Sequence, residues 1–367
     1  MNIILTTTGL GMGGAEKQIC DLADQYTLKG HKVSIISLTN NSKLKPSSEE
    51  ITIYYLNLEK KIFSLFKVYL AARKLINKIK PDVVHSHMIH ANIFFRLLRV
   101  TTPMKYLIST MHNTYEGGKL KMLSYRLTDF LADLSTNVSQ EAVDIFLEKK
   151  ASSKNKIIKQ YNGIDTQKYI FSERNRIEIR NRLGLDNDTI VLLSVGRLTE
   201  AKDYPNLLYS LSKISDTKIK VLIIGDGELK NELYNLTTRL NLDDTVSFLG
   251  IQNNVHEWMS ACDLFILPSA WEGFGLVVAE AMSCERLVIA TDCGGVKEVL
   301  GNHGFLIPPK NSDILANSIL QAISMTPEEV KKITLNAKEH INNNFSLNII
   351  VDNWLKIYTK KNFDEIK

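Results

Sequence analysis

Short apolar runs alternate with longer stretches whose apolar positions recur every third or fourth residue, and the alternation holds along nearly the whole chain. Residues 2–7, 32–38, 51–56, 82–85, 105–110 and 134–138 are compact and rich in Val, Ile, Leu and Thr, so they read as buried strands. Between them residues 15–29, 60–80, 121–132 and 140–148 carry the spacing of amphipathic helices, and another helix follows the strand ending at His85. Strands that are apolar throughout, each followed by a helix, belong to parallel sheets covered on both faces. After residues 156–159 the pattern breaks at Tyr161-Asn162-Gly163-Ile164-Asp165, and residues 172–188 are charged with little periodicity, so a boundary is expected near Asp165.

A second series of the same kind follows. Residues 189–196, 220–224, 246–249 and 263–268 read as strands, with 287–291 as the last, and helices are expected at 206–214, 255–259 and after Gly275. The tail is helical at 312–324, at a capping box with Pro in the first helical position (Thr326-Pro327-Glu328-Glu329), and at 346–359. Since 367 residues exceed the ~250–300 at which one core stops growing, two α/β domains of Rossmann type are predicted, residues 1–165 and 166–344.

Composition changes this picture little: 44% hydrophobic and 23% charged residues are ordinary for a globular chain. No run approaches the ~20 apolar residues that span a bilayer, and no basic flank precedes the first strand, so a cytoplasmic protein is expected. Cys20, Cys262, Cys284 and Cys293 have no C-x-x-C spacing and read as structural thiols of a reducing compartment.

Charge adds more. Residues 1–165 hold 23 Lys and Arg against 14 Asp and Glu, or +9; the whole chain is +5, leaving −4 for the rest. Residues 60–80 set Ile62, Phe63, Phe66, Tyr69 and Leu70 among Lys60, Lys61, Lys67, Arg73, Lys74, Lys78 and Lys80. Such a helix either packs on the core with a solvated basic face or lies on an anionic membrane. Nucleic-acid binding is not expected, since modest basicity is its only support.

The stretch with the most chemistry is Ser269-Ala270-Trp271-Glu272-Gly273-Phe274-Gly275-Leu276-Val277-Val278-Ala279-Glu280, a turn from strand into helix. Gly273 and Gly275 let the backbone approach a ligand closely, and the amides of Phe274, Gly275, Leu276 and Val277 form an anion site at a helix N-terminus. Carboxylates on either side suit a ligand with central phosphates and hydroxyl-rich ends, such as a nucleoside diphosphate sugar. Glu280 would take ribose hydroxyls and Glu272 those of the sugar. Gly9, Gly11 and Gly14 have the spacing G-x-G-x-x-G, but the next strand ends in Thr39-Asn40-Asn41 without the acid a dinucleotide site requires. The loop is then either a tight turn or a cradle for pyrophosphate. His85, His87 and His112 follow strands, yet no Cys or acid cluster completes a metal site.

The Glu-x7-Glu spacing of Glu272 and Glu280 resembles the signature of family 4 retaining glycosyltransferases of the GT-B fold, and residues 195–300 resemble that family almost continuously. The resemblance implies two Rossmann-like domains with parallel sheets facing across a cleft, and a last segment, residues 345–367, that returns to the first domain. It implies that Arg197 and Lys202 contact the diphosphate, that the Gly13-Gly14-Ala15-Glu16 loop approaches it, and that Gly225, Gly227 and Gly250 lie near the base. His112 takes the place of a histidine near the donor sugar. His85 and His87 would line the acceptor side, or else be hydrogen-bonded fillers. Tyr161 stands where Pro is usual in P-N-G-I-D, and Cys284-Glu285-Arg286-Leu287 departs from the usual Gly and Pro.

The expected activity is retaining transfer of a sugar from a nucleotide donor, with uridine as the expected base, to a glycan or polyprenyl-linked acceptor in cell-surface polysaccharide biosynthesis. Metal is not required in that scheme. Retention would come from front-face attack, Glu272 being the one candidate for a side-chain nucleophile. A sugar-nucleotide epimerase and a non-catalytic sugar-binding protein are the competing readings.

Overall fold

The computed structural model describes residues 1–114, 118–186, 188–215 and 218–360. The chain divides into two compact units, Met1–Gly163 with Leu347–Lys367, and Ile164–Ser346. The division falls two residues from the expected one at each crossing, and Phe345 lies in the second unit. Residues 361–367 of the expected returning segment lie outside the described residues.

The first unit runs β1 (Asn2–Thr7), α1 (Gly14–Leu28), β2 (Lys32–Ser37), β3 (Thr52–Tyr55), α2 (Ile62–Ile79), β4 (Val83–His87), α3 (Ile89–Arg99), β5 (Leu107–Met111), α4 (Lys119–Thr128), β6 (Leu134–Asn137), α5 (Gln140–Glu148) and β7 (Ile157–Lys159). Among the described residues the sheet is parallel with order β3-β2-β1-β4-β5-β6-β7. Alternate residues of each strand serve opposite faces. Ile3, Leu5, Val33 and Ile35 pack with α1 and with the returning Leu347, Ile350, Val351 and Trp354, whereas Ile4, Ile36 and Val84 pack under Val68, Ala72 and Ile76 of α2 and Phe94, Phe95 and Leu98 of α3. Gly163, whose Cβ would stand 2.8 Å from Leu347 Cδ1, admits the returning helix.

The second unit runs α6 (Glu173–Arg182), β8 (Ile190–Val195), α7 (Tyr204–Leu211), β9 (Ile219–Ile224), α8 (Lys230–Arg239), β10 (Val246–Gly250), α9 (Val255–Ala261), β11 (Leu264–Leu267), α10 (Leu276–Ser283), β12 (Leu287–Thr291), α11 (Val296–Leu300), β13 (Phe305–Ile307), α12 (Ser312–Ile323) and α13 (Pro327–Phe345); α14 (Leu347–Thr359) then returns to the first. Its parallel sheet has the order β10-β9-β8-β11-β12-β13.

Two sequence expectations are corrected, and one left open is decided. Residues 172–188 are not merely a charged linker: Ser172 caps α6 by accepting from the Asn175 amide at 3.2 Å. Its inward residues are Ile179 and Arg180, and Arg176 and Arg180 pair with Asp263, so arginines occupy positions where an apolar stripe was sought. Residues 287–291 are not the last strand, because β13 adds beside β12. In α2, Val68, Ala72 and Ile76 pack on the core with Tyr69 partly buried beside them, while Ile62, Phe63, Phe66 and Leu70 are 46–85% exposed, so the helix packs on the sheet and carries apolar as well as basic residues on its outer face.

Candidate functional site

Both sheets reverse strand order once, at β1/β4 and at β8/β11. Helices leave such neighbours toward opposite faces, opening a crevice beyond the strand C-termini where ligands of α/β sheets bind.

In the second unit β8 delivers Gly196, Arg197 and the short 3-10 turn Glu200–Lys202 to that crevice, and β11 delivers the loop from Ser269 to Gly275. The two loops are stitched by backbone: the Ala270 amide donates to Ala201 O at 2.9 Å. Lys202 Nζ donates to the Glu272 carboxylate, which also accepts from Ser269 Oγ at 2.7 Å. The side chains of Lys202 and Glu272 are 18% and 13% exposed, so the pair is shielded yet reachable. Gly196 allows this, since a Cβ there would lie 2.9 Å from Lys202 Cε. Arg197 is exposed beside them.

The glycines of neighbouring loops have specific duties. Gly225 has φ +144°, and a Cβ there would meet Gly196 O at 1.9 Å; its amide donates to Gly250 O at 2.8 Å. A Cβ on Gly227 would meet Leu198 O at 2.4 Å. Gly225, Gly227 and Gly250 thus join the ends of β8, β9 and β10 into one rim. At α10, Gly275 is the N-cap with φ +83°, and no side chain caps the helix. The amides of Leu276 and Val277 are among those a helix leaves without intrahelical acceptors. Phe274 points inward, its ring 5.7 Å from that of Phe345, so only its amide is available to a ligand. Glu280 sits in the second turn of α10 and is 4% exposed.

Sequence reasoning missed the residues that hold Glu272. A Cβ on Gly294 (φ +58°) would stand 2.1 Å from Glu272 O, and the Gly295 amide donates to Gly273 O at 3.0 Å. Thr291 Oγ1 donates to Ser269 O at 2.6 Å. Only the paired glycines 294 and 295 signalled this in the sequence. The four cysteines are buried thiols, and burial pushes those of Cys20 and Cys262 up to about 12.

In the first unit the glycine loop after β1 is held by the stretch that lacked an acid. The Leu10 amide donates to Asn41 O at 2.7 Å, and a Cβ on Gly9 would meet Thr39 Oγ1 at 2.7 Å. Gly13 is the N-cap of α1, Gly14 its first residue, and the Glu16 carboxylate folds back over Gly13.

Strand β4 extends two residues beyond the expected 82–85, which corrects one assignment. His85 lies inside the sheet, fully buried, with Nδ1 2.6 Å from Tyr358 Oη and Nε2 2.6 Å from Thr110 Oγ1. Both ring nitrogens are satisfied, so His85 is a hydrogen-bonded core residue and does not line an acceptor surface. His87 Nδ1 lies 3.0 Å from His112 Nε2. Desolvation lowers the pKa of all three, His112 to about 4, so they are neutral. In two neutral imidazoles so bonded, the outer nitrogens, His87 Nε2 and His112 Nδ1, are one acceptor and one donor; among the described residues neither has a protein hydrogen-bond partner.

The family described as Glycosyltransferase Family 4 matches residues 12–168, and that described as Glycosyl transferases group 1 matches residues 175–340. An uncharacterized glycosyltransferase of Methanocaldococcus jannaschii is 30% identical over 65% of this chain and 62% of its own length. The Campylobacter jejuni N-acetylgalactosamine-N,N'-diacetylbacillosaminyl-diphospho-undecaprenol 4-alpha-N-acetylgalactosaminyltransferase is 27% identical over 88% of this chain and 89% of that protein. The crystal structure of Anabaena HepE in complex with UDP-glucose shares the fold, with a TM-score of 0.86, 23% identity, and coverage of 97% and 99%.

Proposed function

The chain belongs to glycosyltransferase family 4, of GT-B fold, and from that premise we propose that it transfers a hexose from a uridine diphosphate sugar to a polyprenyl-linked or glycan acceptor, with retention, in building a cell-surface polysaccharide. The observation that carries this reading is the junction of Lys202, Glu272 and Ser269 where β8 and β11 end, beside the uncapped start of α10.

The bond that breaks joins the anomeric carbon to a β-phosphate oxygen, and its electrons leave with the diphosphate. Arg197 and Lys202, with the Leu276 and Val277 amides, neutralise that charge, each preorganised donor contributing about 3–4 kcal/mol to the transition state. This cationic pair does the work of a divalent ion, so the reaction needs none. Glu280 receives the ribose and Glu272 the sugar hydroxyls. Since the Glu272 carboxylate is already held by Ser269 and Lys202, it positions rather than attacks. The acceptor hydroxyl attacks from the face the diphosphate leaves, and its proton passes to the departing phosphate oxygen. No helix among the described residues is long and apolar enough to cross a membrane, and the exposed Ile62, Phe63, Phe66 and Leu70 among lysines support peripheral contact with the inner face of the cytoplasmic membrane.

The test is a transfer assay with UDP-sugars and polyprenyl diphosphate-linked acceptors, with the product's anomeric configuration read by NMR. Transfer with retained configuration, unchanged by EDTA, is expected. Inversion would remove the mechanism, and isomerised donor without acceptor would replace transfer by epimerisation.

A further inference from the structure

We propose that Met88 is a specificity contact for the acceptor: its thioether packs against the C–H face of the terminal acceptor sugar in the crevice of the first unit. The inference rests on the transfer reading above and adds to it a side chain that sorts acceptors. Met88 follows β4 and is the N-cap of α3, with φ +70° and ψ 149°. Extended backbone at positive φ is ordinarily left to glycine, because a Cβ crowds the neighbouring carbonyls, and any other residue persists there only when its surroundings hold it. The Met88 amide donates to Thr110 O at 3.2 Å, and the Asn92 amide donates to Met88 O at 2.9 Å. Asn92 is itself fully buried: its Nδ2 donates to Thr110 O at 2.9 Å and to Tyr125 Oη at 3.0 Å, and its Oδ1 accepts from Ser86 Oγ at 2.7 Å. Glycine would make the same turn at lower cost, so the turn by itself does not account for a side chain here.

Where the side chain reaches supplies the second observation. Thr7 Oγ1, which donates to Gly9 O at 3.0 Å, also lies 3.4 Å from Met88 Sδ. The thioether therefore crosses from β4 to the end of β1, the two strands at which the order of the first sheet reverses, and it stays half-buried there. Ligands of such a sheet bind in that crevice. The groups that the proposed reaction gives to the diphosphate, the ribose and the donor sugar all lie in the second unit, which leaves this crevice to the other reactant. Thioether carbons make no hydrogen bond and the sulfur accepts weakly, so hydroxyls set against them would go unpaired. The C–H face of a sugar ring, or the methyl of an acetamido group, fits instead.

Transfer is to be measured on the full chain with UDP-hexoses as donors and undecaprenyl diphosphate-linked N-acetylglucosamine, N-acetylgalactosamine, glucose and galactose as acceptors. Met88→Ala removes the thioether and keeps the backbone cost, whereas Met88→Gly removes both. The Met88→Gly protein should therefore melt a few degrees above Met88→Ala, while each lowers kcat/KM for the best acceptor roughly tenfold or more and leaves the donor KM unchanged. Met88→Leu, apolar and of similar volume, should stay within about threefold of the wild type, and the polar Met88→Gln should fall with Met88→Ala. The proposal is overturned if either truncation keeps wild-type acceptor kinetics, if the donor KM rises instead, or if Met88→Gln matches Met88→Leu. It also fails if Met88→Gly melts no higher than Met88→Ala. A wild type inert toward all of these acceptors would fell the transfer reading itself, and this contact with it; loss of the contact alone leaves that reading standing.

Discussion

The switch points of the two sheets occupy equivalent places in their topologies and hold opposite chemistry. At β8/β11 a lysine and a carboxylate meet with an arginine exposed beside them. In the first sheet β4, one of the switch-point strands, carries His85 and His87, and with His112 after β5 they form three imidazoles in the interior, His85 and His87 with ring centroids 4.0 Å apart and His87 and His112 stacked at 5.3 Å. Topology decides where a crevice can form, and desolvation decides what it can do. Buried neutral rings offer hydrogen bonds, whereas neutralising a diphosphate needs cations kept charged by a partner and by water.

The largest effect expected to sharpen this contrast is on turnover. Lys202→Ala and Glu272→Ala should each lower kcat by roughly 10²–10³ while the fold survives in circular dichroism; near-wild-type rates would dissolve the distinction between the two crevices. His85→Leu should instead act on stability, costing about 1–3 kcal/mol in denaturant titrations by removing two buried hydrogen bonds, although the Tyr358 and Thr110 hydroxyls keep Tyr26 and Thr136, with donor affinity unchanged. A fall in acceptor affinity without destabilisation would return His85 to the acceptor side. Gly294→Ala joins the two kinds of effect. Its methyl must displace the backbone of Glu272, so a loss of about 1–3 kcal/mol in stability and a reduced kcat are expected together.

Acid should distinguish the units as well. The folded pKa of His112, about 4, lies below the unfolded value near 6.5, so the unfolded chain binds more protons between those limits. Its contribution is complete above pH ~6.5 and is lost as pH falls toward 4; melting curves should show that decline, and His112→Asn should make it shallower, His85 and His87 supplying the rest. The smallest effect is local. Glu285 has φ +58°, a conformation glycine favours, and is held by Lys338 at 2.8 Å. Glu285→Gly should therefore raise stability by up to ~1 kcal/mol in melting experiments.

Much of the fold was legible because strands buried on both faces need continuous apolar runs, and no surface chemistry can disguise that. α6 was not legible, since Arg176 and Arg180 do its packing, nor was β13, whose three residues are too few to carry a period. Of the site, the chain itself determined the residue types: Arg197, Lys202, Glu272, Glu280 and the glycines that let backbone approach backbone. Tertiary structure alone decided which of them meet. Lys202 reaches Glu272, seventy residues on, because parallel strands carry both loops to one edge, and His85 is withdrawn from any ligand because α14 closes over it. Both outcomes depend on contacts between distant segments, and local periodicity records only which face of its own element a residue takes.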